Sequence, residues 1–190
     1  MFGAVCRHQS IMPTIETPRL MLVPATTEAL QAELVNRDAL AAVLGVEVPE
    51  SWPPEHYDAD AVRWLLTALA DGRAGSGWGF YYVIERSAPG ARPRLCGGGG
   101  FVGAPDDTGT VEIGYAIVPE RQRRGLARET VAAWIAWAFA HPEVTRVIAH
   151  TLPGLRPSIG LLEAAGFSYV GPHAAAGEAD AIQYELRRRG

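Results

Sequence analysis

Apolar residues recur along the chain at two spacings, and the switches between them mark out the elements. Positions 19–23 (RLMLV), 80–85 (FYYVIE) and 110–118 (TVEIGYAIV) are short runs rich in β-branched and aromatic residues, and they read as strands. Pro24, a turn over 87–93 and Pro119 close them. Positions 95–102 supply a partner strand despite four glycines, and 105–109 (PDDTG) is a hairpin loop. Helical spacing appears at Val62, Leu65, Leu66 and Leu69, within a helix over 58–71. It returns at Ala127, Val131, Trp134, Ile135 and Ala138, within a helix over 125–140 that Pro142 ends. An earlier helical region starts at Thr26 or Thr27, either of which can cap it, breaks near Asn36 and runs toward Leu44. Beyond Pro142 the pattern predicts a strand over 144–151, a helix over 157–165 stopped by Gly166, a short strand over 167–170 and a closing strand over 181–186. Residues 1–13 read as a flexible tail, with Met12 a possible native start. Residues 14–190 read as one domain, a mixed α/β sheet flanked by helices.

Composition narrows the function classes. The chain has 190 residues and a net charge of -4, which argues against nucleic acid as a partner. There is no apolar run of about 18 residues, so no membrane partner is expected, and 1–10 lacks the apolar stretch of a signal peptide. Cys6 and Cys96 form no metal-spaced pair, so no metal is expected, and a cytoplasmic setting fits. All 17 basic residues are arginine. A Walker A loop needs lysine on the β/γ-phosphates, and a Schiff base needs it as nucleophile; both are excluded.

The most informative stretch is 118–129 (VPERQRRGLARE), which joins a strand to the long helix. Gln122, Gly125 and Ala127 stand at the spacing Q-x-x-G-x-A. The first turn of a helix carries four N–H groups without internal partners, and the helix dipole adds positive charge there. A pyrophosphate can take both. Gly125 lets backbone approach closely, Ala127 keeps the next turn small, and Arg121, Arg123, Arg124 and Arg128 surround the point. Basic residues at this end oppose the dipole by about 0.3–1 kcal/mol each, a cost that a bound anion removes. Which anion does not follow from spacing. The Gly97 to Gly100 run is no dinucleotide loop, because no helix opens after it; it suits a strand that another backbone or a substrate approaches closely.

With these residues in place the chain resembles the GNAT superfamily of acetyltransferases. The strand 111–118, Pro119-Glu120, 122–127 (QRRGLA) and 158–167 (SIGLLEAAGF) fall in the family order. The opening 17–24 (TPRLMLVP) and Thr151-Leu152-Pro153 resemble the ribosomal-protein N-terminal acetyltransferase branch (RimJ/RimL type). The resemblance implies a splayed central sheet and acetyl-CoA as co-substrate. It implies pantetheine against the backbone of Ile117 and Val118, and pyrophosphate on Gln122, Arg123, Arg124, Gly125, Leu126, Ala127 and Arg128. Ser158 falls near the thiol. Two positions depart from the pattern. Leu155 stands where the branch has Asn, and Leu162 where many members carry a Tyr that acts as general acid.

The implied reaction is direct attack of a primary amine on the thioester, with a protein N-terminal α-amine as first candidate and a small-molecule amine as alternative; a non-catalytic acetyl-CoA-binding protein is the third reading. The amine must lose a proton. Glu112 is the candidate base, because strand alternation puts it on a face with Gly114 and Ala116. Ser158 is a ligand-positioning group or proton donor. The oxyanion would be held by backbone N–H groups near Ile117 or Val118. His141 reads as a helix cap, His150 as structural, and Cys96 as an unsuitable acyl acceptor. Acceptor walls are expected from 44–57, 72–79 and 97–100, with Glu47, Glu50, Glu55 and Asp58 able to attract a cation. Trp52 and the apolar loops around it are the candidate surface for a homodimer.

Overall fold

The computed structural model describes residues 13–55, 57–75, 77–175 and 178–189. Almost all of the expected tail, with Met12 and Cys6, lies outside them. The elements run β1 (Ile15–Glu16), β2 (Leu20–Pro24), α1 (Thr27–Val35), α2 (Arg37–Leu44), α3 (Ala59–Ala70), β3 (Phe80–Glu85), β4 (Arg94–Phe101), β5 (Thr110–Ile117), a turn of 3-10 helix (Pro119–Arg121), α4 (Leu126–Ala140), β6 (Arg146–Thr151), α5 (Arg156–Ala164), β7 (Ser168–Ala175) and β8 (Glu178–Arg187). The strands form one sheet in the order β1-β2-β3-β4-β5-β6-β8-β7. Neighbours pair antiparallel except β5 and β6, which run parallel across the α4 connection.

Strand alternation divides the apolar residues between two cores. Leu20 and Leu22, Tyr81 and Val83, and Val111, Ile113 and Ile117 face α4, where Leu126, Val131, Trp134 and Ala138 close the layer. Tyr82, Ile84, Leu95 and Val118 face the other way, onto Leu30, Leu40, Val62 and Leu65 of the first three helices. The helix starts follow from short polar side chains that satisfy free N–H groups. Thr26 accepts from Ala29 N–H at 3.1 Å, and Asn36 ends α1 while its Oδ1 accepts from Ala39 N–H at 2.9 Å to start α2. His141 caps α4 as expected, its Nδ1 2.9 Å from the Trp137 carbonyl oxygen.

Three expectations change. β7 extends to Ala175, well past 170, because β8 gives it an antiparallel partner. β1, two residues long, is too short to show periodicity. Trp52 is no dimer surface: it is 4% exposed, and its Nε1 donates to Glu33 at 2.6 Å inside the second core.

The glycines of β4 are required by close approach on both faces. A Cβ at Gly98 would lie 2.4 Å from the Phe80 ring, and one at Gly99, which sits at φ 151°, would lie 2.2 Å from the Gly114 carbonyl oxygen and 2.9 Å from Trp134. Neighbouring protein atoms, as well as any ligand, therefore demand glycine there.

Candidate functional site

The sheet opens at its centre. β5 pairs with β4 from Ile113 to Ile117, but with β6 only from Thr110 to Ile113. Val102 N–H donates to the Glu112 oxygen and Val118 N–H to the Cys96 oxygen, both at 3.0 Å, so the even-numbered residues of β5 bond to β4. By the alternation of an antiparallel ladder, Tyr115 and Ile117 turn their backbone groups into the gap. Gln122 closes part of it, its Nε2 donating to the Ile117 oxygen at 2.9 Å. The Tyr115 backbone and the Ile117 N–H remain for a ligand.

A cleft of about 930 Å³ runs through this opening. Its donor side is built by Ile117, Gln122, Arg123, Gly125, Leu126, Ala127 and Arg128, with Ser158 opposite. Gly125 sits at φ 77° and starts α4 without any side-chain cap. The first helical bond runs from Glu129 N–H to the Gly125 oxygen at 3.1 Å, which leaves the preceding N–H groups without helical partners. Arg123 lies at φ 59°, a left-handed conformation that costs a non-glycine residue about 1–2 kcal/mol. Arg123 and Arg128 are in no ion pair among the described residues, whereas Arg121 lies 3.2 Å from Glu85. Uncapped N–H groups, a missing Cβ and the guanidinium groups of Arg123 and Arg128 suit the pyrophosphate and adenosine phosphates of acetyl-CoA.

Three residues expected at the site stand apart from the cleft wall. Val118 is fully buried, and both its backbone groups are used, the N–H by Cys96 and the oxygen by Arg121. It offers no N–H to an oxyanion. Arg124 is exposed, and its carbonyl is held by Arg19 at 3.0 Å. Glu112 is beside the cleft, on the strand pair with Val102, which lines it. Its Oε1 lies 2.8 Å from His150 Nδ1, so His150 is its partner. His150 immediately follows Ala149, the last β6 residue paired with β5, and stacks on His173 with ring centroids 4.0 Å apart.

One candidate was missed. Tyr115 lines the cleft, and its hydroxyl lies 3.0 Å from Ser158 Oγ. Burial raises its phenol above the usual value of 10.0, against the hydrogen bond to Ser158, which lowers it, so the group stays protonated at neutral pH. Alternation puts Tyr115 on the α4 face, which α5 also covers through Ile159, Leu161 and Leu162, so its hydroxyl meets Ser158 there. Leu162, at the family's tyrosine position, is fully buried in the core. Cys96 is also excluded as an acyl acceptor: it is fully buried, and burial pushes its thiol up to about 12.

The acceptor side is made by Pro54, Glu55, Tyr57, Trp64, Phe80 and Val102. None of the described residues of the 72–79 loop lines it; Trp64 and Leu65 of α3 do. Of the four carboxylates expected there, Glu55 lines the cleft. Glu47 is bound to Arg94 at 2.6 Å, and Asp58 caps α3 through Asp60 N–H and Ala61 N–H.

Comparison with known proteins agrees with this geometry. A family model described as acetyltransferase (GNAT) domain matches residues 19–168. An N-acetyltransferase of uncharacterized role from Bacillus subtilis, YjdG, is 27% identical over 156 residues, covering 82% of this chain and 90% of its own. The fold is similar to an acetyltransferase from Agrobacterium tumefaciens, with a TM-score of 0.62 at 20% identity over 93% of this chain and 95% of that one. It is also similar to the ribosomal L7/L12 α-N-protein acetyltransferase RimL in complex with coenzyme A, with a TM-score of 0.64 at 16% identity over 92% and 98%. No helix among the described residues is long and apolar enough to cross a membrane. The chain therefore belongs to the GNAT family and is an acetyl-CoA-dependent N-acetyltransferase.

Proposed function

We propose that this enzyme acetylates the α-amine at a protein or peptide N-terminus, with the first side chain of the acceptor against Tyr57, Trp64, Phe80 and Val102. The observation that carries this reading is the make-up of the acceptor wall. Trp64 is 45% exposed and Val102 48%, and both line the cleft, while Glu47 is paired with Arg94 and Asp58 caps α3. Polyamines and aminoglycosides need several carboxylates in register with their charges. An open apolar wall suits one amine beside a side chain. The likeness to RimL, whose substrate is the α-amine of a ribosomal protein, is compatible with this acceptor.

In the mechanism, Arg123, Gly125, Leu126, Ala127 and Arg128 would hold the phosphates of acetyl-CoA, and the backbone of Tyr115 and Ile117 its pantetheine. When bound, acetyl-CoA supplies a thioester whose carbonyl carbon accepts the amine nitrogen. The C–N bond forms as the C–S bond breaks. Glu112 takes the ammonium proton through a water, held in place by His150. Ile117 N–H faces the gap, where it is available to the developing oxyanion. Tyr115, hydrogen-bonded to Ser158, gives its proton to the departing sulfur and is reprotonated as the attacked nitrogen loses its second proton.

The test is a competition of N-terminal peptides, a diamine, a polyamine and an aminoglycoside, with the acetylated atom located by mass spectrometry. Peptides are expected to exceed polyamines in kcat/KM by about 10–200-fold, the range that apolar pocket contacts supply. A polyamine or aminoglycoside preferred over every peptide refutes the acceptor assignment.

A further inference from the structure

The segment Thr17-Pro18-Arg19 stands more than a hundred residues before α4, yet it closes on the first turn of that helix. Glu129 Oε1 accepts from the Thr17 hydroxyl at 2.5 Å and from Arg19 N–H at 2.9 Å. Its Oε2 accepts from Arg19 Nε at 2.6 Å. The same guanidinium reaches past Glu129, and Nη1 donates to the Arg124 oxygen at 3.0 Å. Its Nη2 lies alongside Gly125, 3.4 Å from where a Cβ would stand. Arg19 thus grips the loop on both sides of Gly125.

This grip has a directional consequence. In a trans peptide the carbonyl of Arg124 and the N–H of Gly125 point in opposite directions. A guanidinium that holds the oxygen sets where that N–H points. The adjacent Arg123 is left-handed at φ 59°, and such conformations persist where the surroundings over-determine them. Electrostatics add to this. The Glu129 side chain is 16% exposed and belongs to the turn expected to receive phosphate. Burial pushes its carboxyl up, but the Thr17 hydroxyl, the Arg19 N–H and the Arg19 guanidinium outweigh that and hold it below the usual value, so it is ionised at neutral pH. Left without its cation, that carboxylate would repel the anion one turn away.

We propose that Arg19 is a positioning residue for the phosphate loop: with Thr17 and Glu129 it holds the Arg124–Gly125 peptide and the first turn of α4 in the orientation that receives the pyrophosphate of acetyl-CoA. The proposal rests on the loop reading above. It assigns a role to the opening 17–24 segment that the reaction itself does not use. Binding gains because the donors are set before the ligand arrives.

The test compares Arg19→Ala, Arg19→Lys and Gly125→Glu with the wild type. Acetyl-CoA affinity is measured by calorimetry. Steady-state kinetics are measured with acetyl-CoA and with S-acetylpantetheine, which carries the same thioester without the pyrophosphate. Arg19→Ala is expected to raise Kd and KM for acetyl-CoA by about tenfold or more, the scale of a lost charged hydrogen bond, with kcat within a factor of about two. Its kcat/KM with S-acetylpantetheine stays at the wild-type value. Arg19→Lys, which keeps the charge but cannot hold both acceptors, falls between; it carries the test alone if the alanine variant does not fold. Unchanged acetyl-CoA affinity in the Arg19 variants while Gly125→Glu loses binding overturns the positioning role and leaves the loop reading intact. Equal losses with both donors overturn it in favour of general structural damage. Normal binding by Gly125→Glu sinks the loop reading, and the positioning role with it.

Discussion

Replacing Tyr115 with phenylalanine removes one oxygen from the cleft wall and tests the proton route to the leaving group. That oxygen is 3.0 Å from Ser158 Oγ and 3.5 Å from the Ser158 carbonyl oxygen. Losing one such bond costs about 0.5–1.5 kcal/mol of stability. For a domain of this size the melting temperature then falls by about 1–6 °C. The rate effect should be far larger. A general acid contributes about 10²–10⁴-fold, which corresponds to about 2.7–5.4 kcal/mol of barrier. Tyr115→Phe is therefore expected to lower kcat at least about a hundredfold with the acetyl-CoA KM unchanged, measured by release of free thiol. If Tyr115 and Ser158 act as one unit, Ser158→Ala lowers kcat similarly and the double variant is no worse than either single. Because burial raises the phenol, the wild-type profile shows no alkaline limb from this group between pH 6 and 9. A Tyr115→Phe enzyme within a factor of about two of wild type, or single effects that multiply, would refute the assignment.

Two further outcomes follow from the carboxylates. Glu112→Gln is expected to cut kcat by about 10²–10⁴-fold while calorimetry finds acetyl-CoA affinity intact; a near-normal rate removes Glu112 as the base. Glu33 accepts from Trp52, Tyr57 and Tyr82, and burial, outweighing these bonds, raises its carboxyl above 4.5. Folding therefore favours its protonated form. That contribution is complete below pH 4.5 and is lost as pH rises through the raised value. Melts of wild type and Glu33→Gln from pH 4 to pH 8 should show their stability difference moving in favour of the variant as pH rises, and a constant difference contradicts the linkage.

What the sequence determined by itself was local. Thr26 and Asn36 mark helix starts because a short polar side chain answers N–H groups within three residues, a relation contained in the chain order. The strands β3 and β5 are legible because residues of one character alternate or cluster over a few positions. Gly125 at the mouth of α4 is legible for the same reason, and the order of these features points to the family. The rest depends on contacts between distant segments. Trp52 looks like a surface residue among prolines until Glu33 is folded beneath it. Tyr115 belongs to the core face by alternation, and meets Ser158 only when α5 packs on that same face. Trp64 joins the acceptor wall because α3 packs over β3 and β4, a neighbour that the glycine-rich 72–79 segment does not announce. Arg19 meets Arg124 and Glu129 across the fold. Periodicity and capping act over a few residues and leave their record in sequence, whereas the gap, the wall and the grip on the phosphate loop are made when elements remote in the chain close on one another.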